Sequence, residues 1–185
     1  PTRRSSDLSD NTVTEDSPNE DQDSNDSTGD TEEDVEEDTT EEEIVEVGIG
    51  VPATIADVSF TVNSVDTTQE ISSGNEFIDP ATTEGQFIIV DITVKNDKKE
   101  AITINSSYFK LFTSDDVEYE PTTDGEVSMA MMDEDSFFLE QVNPGLSKTG
   151  KVVFEVGLDL DLSQTILKGQ TGFWGTETVE ISLAN

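Results

Sequence analysis

Beyond Gly48, apolar side chains recur at every second position. Val58, Phe60 and Val62 alternate with Ser59, Thr61 and Asn63; Ile88, Val90, Ile92 and Val94 enclose Asp91 and Thr93; Val152, Phe154 and Val156 flank Val153 and Glu155. A period of two is that of a pleated strand with one face buried. Phe87 and Ile89 add apolar groups to the opposite face, which predicts a central strand covered on both sides at one end. Further strands are predicted over 102–105, 108–112, 137–142 and 179–183, the last with Val179, Ile181 and Leu183 facing one way. Between them stand Ser73-Gly74-Asn75, Asn96-Asp97, Ser114-Asp115-Asp116, Asp124-Gly125, Asn143-Pro144-Gly145 and 172–175, all rich in residues that accept φ > 0 or cap their own backbone. Seven or eight short strands joined by such turns, without a long helical period, predict an all-β antiparallel sandwich. Only 127–134 (VSMAMMDE) suggests a helical turn; its Met129, Met131 and Met132 read either as a flexible contact patch or as a loop packed over the sheet.

Before Gly48 the pattern vanishes. Residues 9–47 hold 18 acidic side chains and no basic one, and as far as Glu43 only Val13 and Val35 offer anything to bury. That cannot offset a backbone ordering cost of roughly 1–2 kcal/mol per residue, so the segment is predicted to be a disordered acidic linker. As a neutral flexible coil it would average about 35 Å end to end, and its self-repulsion extends it further. The expected organisation is therefore linker 9–47 and β domain 48–185. The 138 residues of the latter suffice to bury roughly two-thirds of the surface their unfolded chain exposes.

Charge excludes one class of partner. Of the formal charge of −34, residues 48–185 carry 24 acids against 7 lysines. Nucleic-acid binding needs basic side chains to displace counterions, so it is excluded, and anionic bilayers are disfavoured by the same sign. Cysteine and histidine are both absent, which removes thiolate nucleophiles, disulfides, thiolate or imidazole zinc sites and every triad with an imidazole base. The octapeptide Pro1–Leu8 (PTRRSSDL) is what a common sequencing-adapter end encodes, and it holds the only two arginines. It is read as an artefact and excluded from fold reasoning, with any signal peptide or lipid-attachment cysteine expected upstream. No apolar run is long enough to span a bilayer as a helix.

Three segments in order, 58–65 (VSFTVNSV), 86–96 (QFIIVDITVKN) and 143–156 (NPGLSKTGKVVFEV), resemble the family catalogued as domain of unknown function 4352. The most specific part is Val94-Lys95-Asn96 followed about 50 residues later by Pro144-Gly145 and then 150–154. The resemblance implies an immunoglobulin-like sandwich related to the mycobacterial immunoprotective antigen. It also implies a secreted or lipid-anchored protein, with an export signal ahead of an acidic or Ser/Thr-rich linker. These motifs are structural, so no catalytic residue carries over. Read physically, Asn96 closes a strand by adopting a left-handed conformation or bonding its own backbone, and Pro144-Gly145 suits a type II turn.

Carboxylates are the only abundant catalytic type, and a glycosidase needs two of them about 5–9.5 Å apart. Asp115 with Asp116, Asp133 with Asp135, and Asp159 with Asp161 are the densest groups; each reads first as an ordinary solvated turn. If 158–162 is extended, Asp159 and Asp161 point the same way and form, with Asp133 and Asp135, a candidate calcium site; the same geometry turns Leu158, Leu160 and Leu162 to the core. Phe173-Trp174, between Gly172 and Gly175, is the candidate binding loop for a sugar or protein, against the alternative of a Trp plugging one end of the sandwich. Tyr108 and Tyr119 read as strand aromatics. The chain thus reads as a non-enzymatic extracellular or envelope module that uses no cofactor and meets protein or glycan. A calcium-responsive accessory domain is the alternative, and a carboxylate hydrolase the third.

Overall fold

The computed structural model describes residues 46–132, 138–171 and 177–184. Two sheets face each other across one core. The first contains β2 (Ala53–Ile55), β3 (Val58–Ile71), β4 (Ala81–Asn96) and β9 (Ser147–Val156), in that order and antiparallel throughout. The second runs β1 (Glu46–Val47), β11 (Glu177–Ser182), β10 (Thr165–Thr171), β6 (Phe109–Thr113) and β7 (Glu118–Tyr119), antiparallel except for the β1–β11 pair. A two-stranded ribbon of β5 (Ile102–Thr103) and β8 (Gln141–Val142) closes one end. The all-β antiparallel sandwich expected from the period of two, which the family resemblance implies to be immunoglobulin-like, is the fold observed. Glu46 and Val47, read from sequence as the end of the linker, already pair with Glu180 and Ile181.

The residues that alternate in the sequence form the core. Val58, Phe60, Val62, Ile88, Val90, Ile92, Val94 and Phe154 from the first sheet meet Phe109, Leu111, Leu167, Val179 and Ile181 from the second, all within 4 % of complete burial. At about 25 cal/mol per Å2 of apolar surface removed from water, each such side chain contributes roughly 1.5–3 kcal/mol. Phe60 and Phe109 meet edge to face with centroids 6.0 Å apart. Gly169 of β10 lies beneath them: a Cβ there would come within 3.1 Å of the Phe60 ring and of a Val179 methyl.

The predicted outer cover of β4 is also present. Phe87 and Val153 point away from the main core and pack with Ile71, Ala81, Val127 and Ala130 in a second, smaller cluster. The last two belong to α1 (Gly125–Ala130), a short helix capped by Asp124, whose carboxylate accepts from the N–H groups of Glu126 and Val127. Of the three methionines, Met131 packs against this cluster while Met129 and Met132 are exposed.

β3 and β4 are long, and their pairing shifts twice. Asn63 is an extra residue that reverses the facing of β3, so that Ser64 opposes Asp91 and Val65 returns to the inner face opposite Val90. The second shift sets Thr68 against Phe87 but Glu70 against Thr82, leaving residues 83–86 of β4 as an irregular step. Gly85 sits in this step, where a Cβ would lie 2.2 Å from the Val156 carbonyl oxygen.

Candidate functional site

At one end of the sandwich the β6–β7 turn and the β9–β10 connection converge. The first is built as its Ser-Asp-Asp sequence predicts: Asp116 takes φ +58°, and Thr113 exchanges hydrogen bonds with Asp116 and Val117. The second departs from expectation. Residues 158–162 are not an extended strand; a turn closed by Leu160 N–H on the Gly157 carbonyl leads into a 3-10 turn, Leu162–Gln164. Leu160 and Leu162 pack against the main core, whereas Leu158 is 60 % exposed, so the strict alternation that would have sent all three leucines inward is broken.

The turn over residues 157–160 makes that break, and the 3-10 turn after it is capped by Asp161. Its Oδ1 accepts from the Ser163 N–H at 2.9 Å and its Oδ2 from Gln164 Nε2 at 3.3 Å, making it the N-cap of the 3-10 turn. Hydrogen bonds from the Ser163 side chain, the Ser163 backbone and Gln164 together hold its carboxyl below the ordinary value. Gln86, from the β4 step, donates through Nε2 to the carbonyls of Gly157 and Leu160 and so ties this connection to the first sheet.

The two loops enclose an open cleft of about 320 Å3 whose lining includes Thr113, Ser114, Asp115, Tyr119, Asp159 and Asp161. Its wall carries three carboxylates and no cation, so it favours a cation or a neutral polyol over an anion. Asp159 and Asp161 are thus brought to one cleft, and Asp115 joins them from the other loop. Among the described residues, no three acidic side chains gather closely enough to hold a metal ion. Asp133, Asp135, Phe173 and Trp174, the other candidates, lie outside the described residues. Tyr108 is partly buried against the core, and that burial raises its hydroxyl pKa. Gln86 and Gln164 were not legible as site-building residues, because a glutamine's role depends on which carbonyl or carboxylate the fold brings within reach.

The opposite end is organised by Asn96. It is fully buried, its Nδ2 donates to the carbonyls of Glu100 and Val142, and its Oδ1 accepts from Lys98 N–H. Its backbone N–H donates to Leu146 O at 2.9 Å and its carbonyl accepts from Gly145 N–H at 2.7 Å. Asn96 forms the expected bond to its local backbone but has no positive φ; the type II turn is present, with Gly145 at φ +75° and Leu146 N–H on Asn143 O. The two most specific sequence motifs are therefore one structural unit. A family model described as domain of unknown function (DUF4352) matches residues 47–177. The chain belongs to this family.

The DUF4352 fold recurs in solved structures. The yjhA protein from Bacillus subtilis superposes with a TM-score of 0.55 at 16 % identity, over 73 % of this chain and 99 % of that one. A conserved hypothetical protein from Bacillus anthracis gives 0.51 at 17 %, over 66 % and 87 %. MPT63, a secreted protein from Mycobacterium tuberculosis, gives 0.50 at 17 %, over 75 % and 97 %, so the relation to the mycobacterial antigen holds at the level of fold. No functionally curated protein matches the chain.

Proposed function

We propose that this DUF4352 domain is a non-enzymatic binding or accessory module, displayed outside the cell on the acidic segment 9–47, that engages protein or glycan through its loops and sheet edges. The state of the Asp161 carboxyl carries the reading. Both of its oxygens are already engaged, Oδ1 by the Ser163 N–H and Oδ2 by Gln164 Nε2, in bonds that serve to shape the loop. Asp161 acts as architecture. Placement outside the cell is supported by the description of MPT63, a protein of like fold, as secreted. Fractionation of cells carrying the native gene tests the placement: the reading expects the protein in the envelope or the medium, and a purely cytosolic pool contradicts it. The emission of Trp174 tests the loop: a red-shifted, quencher-accessible spectrum makes 172–175 part of the binding surface, and a blue-shifted one removes it.

Asp115, Asp159 and Asp161 line one cleft without gathering closely enough to hold an ion, so the second reading, a calcium-responsive accessory domain, requires the two loops to draw together around calcium. Binding to the folded state alone raises the melting midpoint, so calorimetric titration and melting in millimolar calcium decide between the two. The primary reading expects no shift.

A further inference from the structure

We propose that the edge of β3 over residues 64–68 is the docking site of the module, and that its occupant is a basic, extended segment of a partner protein, which adds there as a further strand. The inference rests on the binding-module reading above and names its partner class.

β3 has two edges, and one of them is paired with β4 along almost its whole length. The other is covered only at its start. β2 pairs with residues 58–60, and Gly50 N–H reaches the Val62 carbonyl at 2.7 Å. Past the Asn63 bulge, no strand pairs with this edge among the described residues. Residues 64–68, between the two register shifts, therefore present backbone donors and acceptors in extended conformation, the template that strand addition uses. Side chains supply the selectivity. Beside this edge, where the sandwich is left open, lies a cavity of about 360 Å3 whose walls include Ile49, Val65, Leu162 and Leu183. An added strand points alternate side chains toward the core, where Ile49, Val65, Leu162 and Leu183 offer apolar contact beside the polar Asn63, Ser64 and Ser163, so the hollow accepts an aliphatic or aromatic side chain.

Charge selects the occupant. Over residues 61–94 the β3–β4 hairpin carries Asp66, Glu70, Glu76, Asp79, Glu84 and Asp91 and not one lysine or arginine. A second copy of this chain would bring the same acids to the same edge, and its excess of 24 acids over 7 lysines in residues 48–185 repels. A segment that alternates basic with apolar residues meets both features: bases toward the face that carries Asp66, apolar groups toward the cavity.

The test uses the full chain at about 0.15 M salt, where long-range attraction is screened. The probe is a synthetic heptapeptide alternating lysine with valine and leucine, and its analogue N-methylated along one backbone edge, which keeps the charge but cannot pair. The proposal expects the peptide to slow amide exchange over 64–68 at least ten-fold, and the analogue to bind at least ten-fold more weakly. Asp66→Lys, at an exposed position on the edge, weakens the peptide at least five-fold. Glu100→Lys, the same charge change near the far end of the hairpin, leaves binding within two-fold. Equal losses in both variants without protection of 64–68 would mean attraction to net charge alone and overturn the proposal, as would dimerisation of the free chain through this edge. Absence of peptide binding by a protein found outside the cell defeats the edge assignment only; a cytosolic protein defeats the wider reading.

Discussion

Asn96 is the residue on which most of one end of the molecule depends. Two carbonyls and one N–H, from two stretches of chain, find their partner in its buried amide. Replacing it by alanine leaves the Val142 carbonyl buried without this partner, at a cost of about 1–3 kcal/mol, and removes the partner of two part-buried groups besides. Asn96→Ala is therefore expected to lower unfolding stability by about 3 kcal/mol in urea denaturation; a loss under about 0.5 kcal/mol would contradict the role assigned to it. Asp161 makes a prediction of a different sign in pH. Because its folded-state pKa is depressed below the ordinary 3.8, its contribution to stability is fully present above that value and is lost as pH falls through the lower folded value. Asp161→Asn should therefore flatten the stability profile below about pH 4, relative to the parent chain, while keeping the 3-10 turn; acid unfolding curves of the two proteins check it.

The strands differ in how openly the sequence shows them, and the reason is what they bury. β3, β4, β9 and β11 bury aliphatic and aromatic groups at alternate positions, so their period of two is plain. β10 was not legible. Its inward positions are Thr165, Leu167, Gly169 and Thr171, while Ile166 faces outward, so hydropathy carries no alternation although the strand is central to its sheet. The Gly169 position answers to the bulk of Phe60 and Val179 above it. The β2–β3 hairpin was hidden by its turn: Ala56 and Asp57 occupy φ +46° and +60°, where asparagine and glycine are the usual signal. Holding alanine there costs about 1–2 kcal/mol. Ala56→Asn is thus expected to stabilise the domain by about 0.5–1 kcal/mol in thermal or urea melts, and a destabilisation would refute the strain. Gly85 was likewise silent in the sequence, because its need arises from a backbone approach between β4 and β9. Gly85→Ala must displace the Val156 carbonyl and is expected to cost at least about 2 kcal/mol by the same melts. The cleft was half legible: its aspartates and its Asp-Asp turn could be read, but the capping of a 3-10 turn by Asp161 could not, since the alternation of leucine and aspartate over 158–162 is the pattern of a half-buried strand.

For the whole molecule the governing fact is division of labour. The buried apolar side chains of the described residues form two clusters on either side of the first sheet, and the exposed charge is overwhelmingly negative. Lysine is placed economically: Lys168 pairs with Glu180 at 2.9 Å while lying 4.5 Å from the Phe112 ring centroid, and Lys110 pairs with Glu118 on the same outer face. A domain so arranged supplies a rigid scaffold with edges and loops for contact, which is what the DUF4352 fold offers here. The central claim, a sandwich displayed outside the cell by an acidic tether, has a direct test in the tether's own composition. Residues 9–47 contain glutamate throughout and no lysine or arginine. A glutamate-specific protease added to intact cells carrying the native gene should cut there and release a folded fragment beginning near Glu46 into the medium. A protein that stays whole until the cells are lysed would contradict the account.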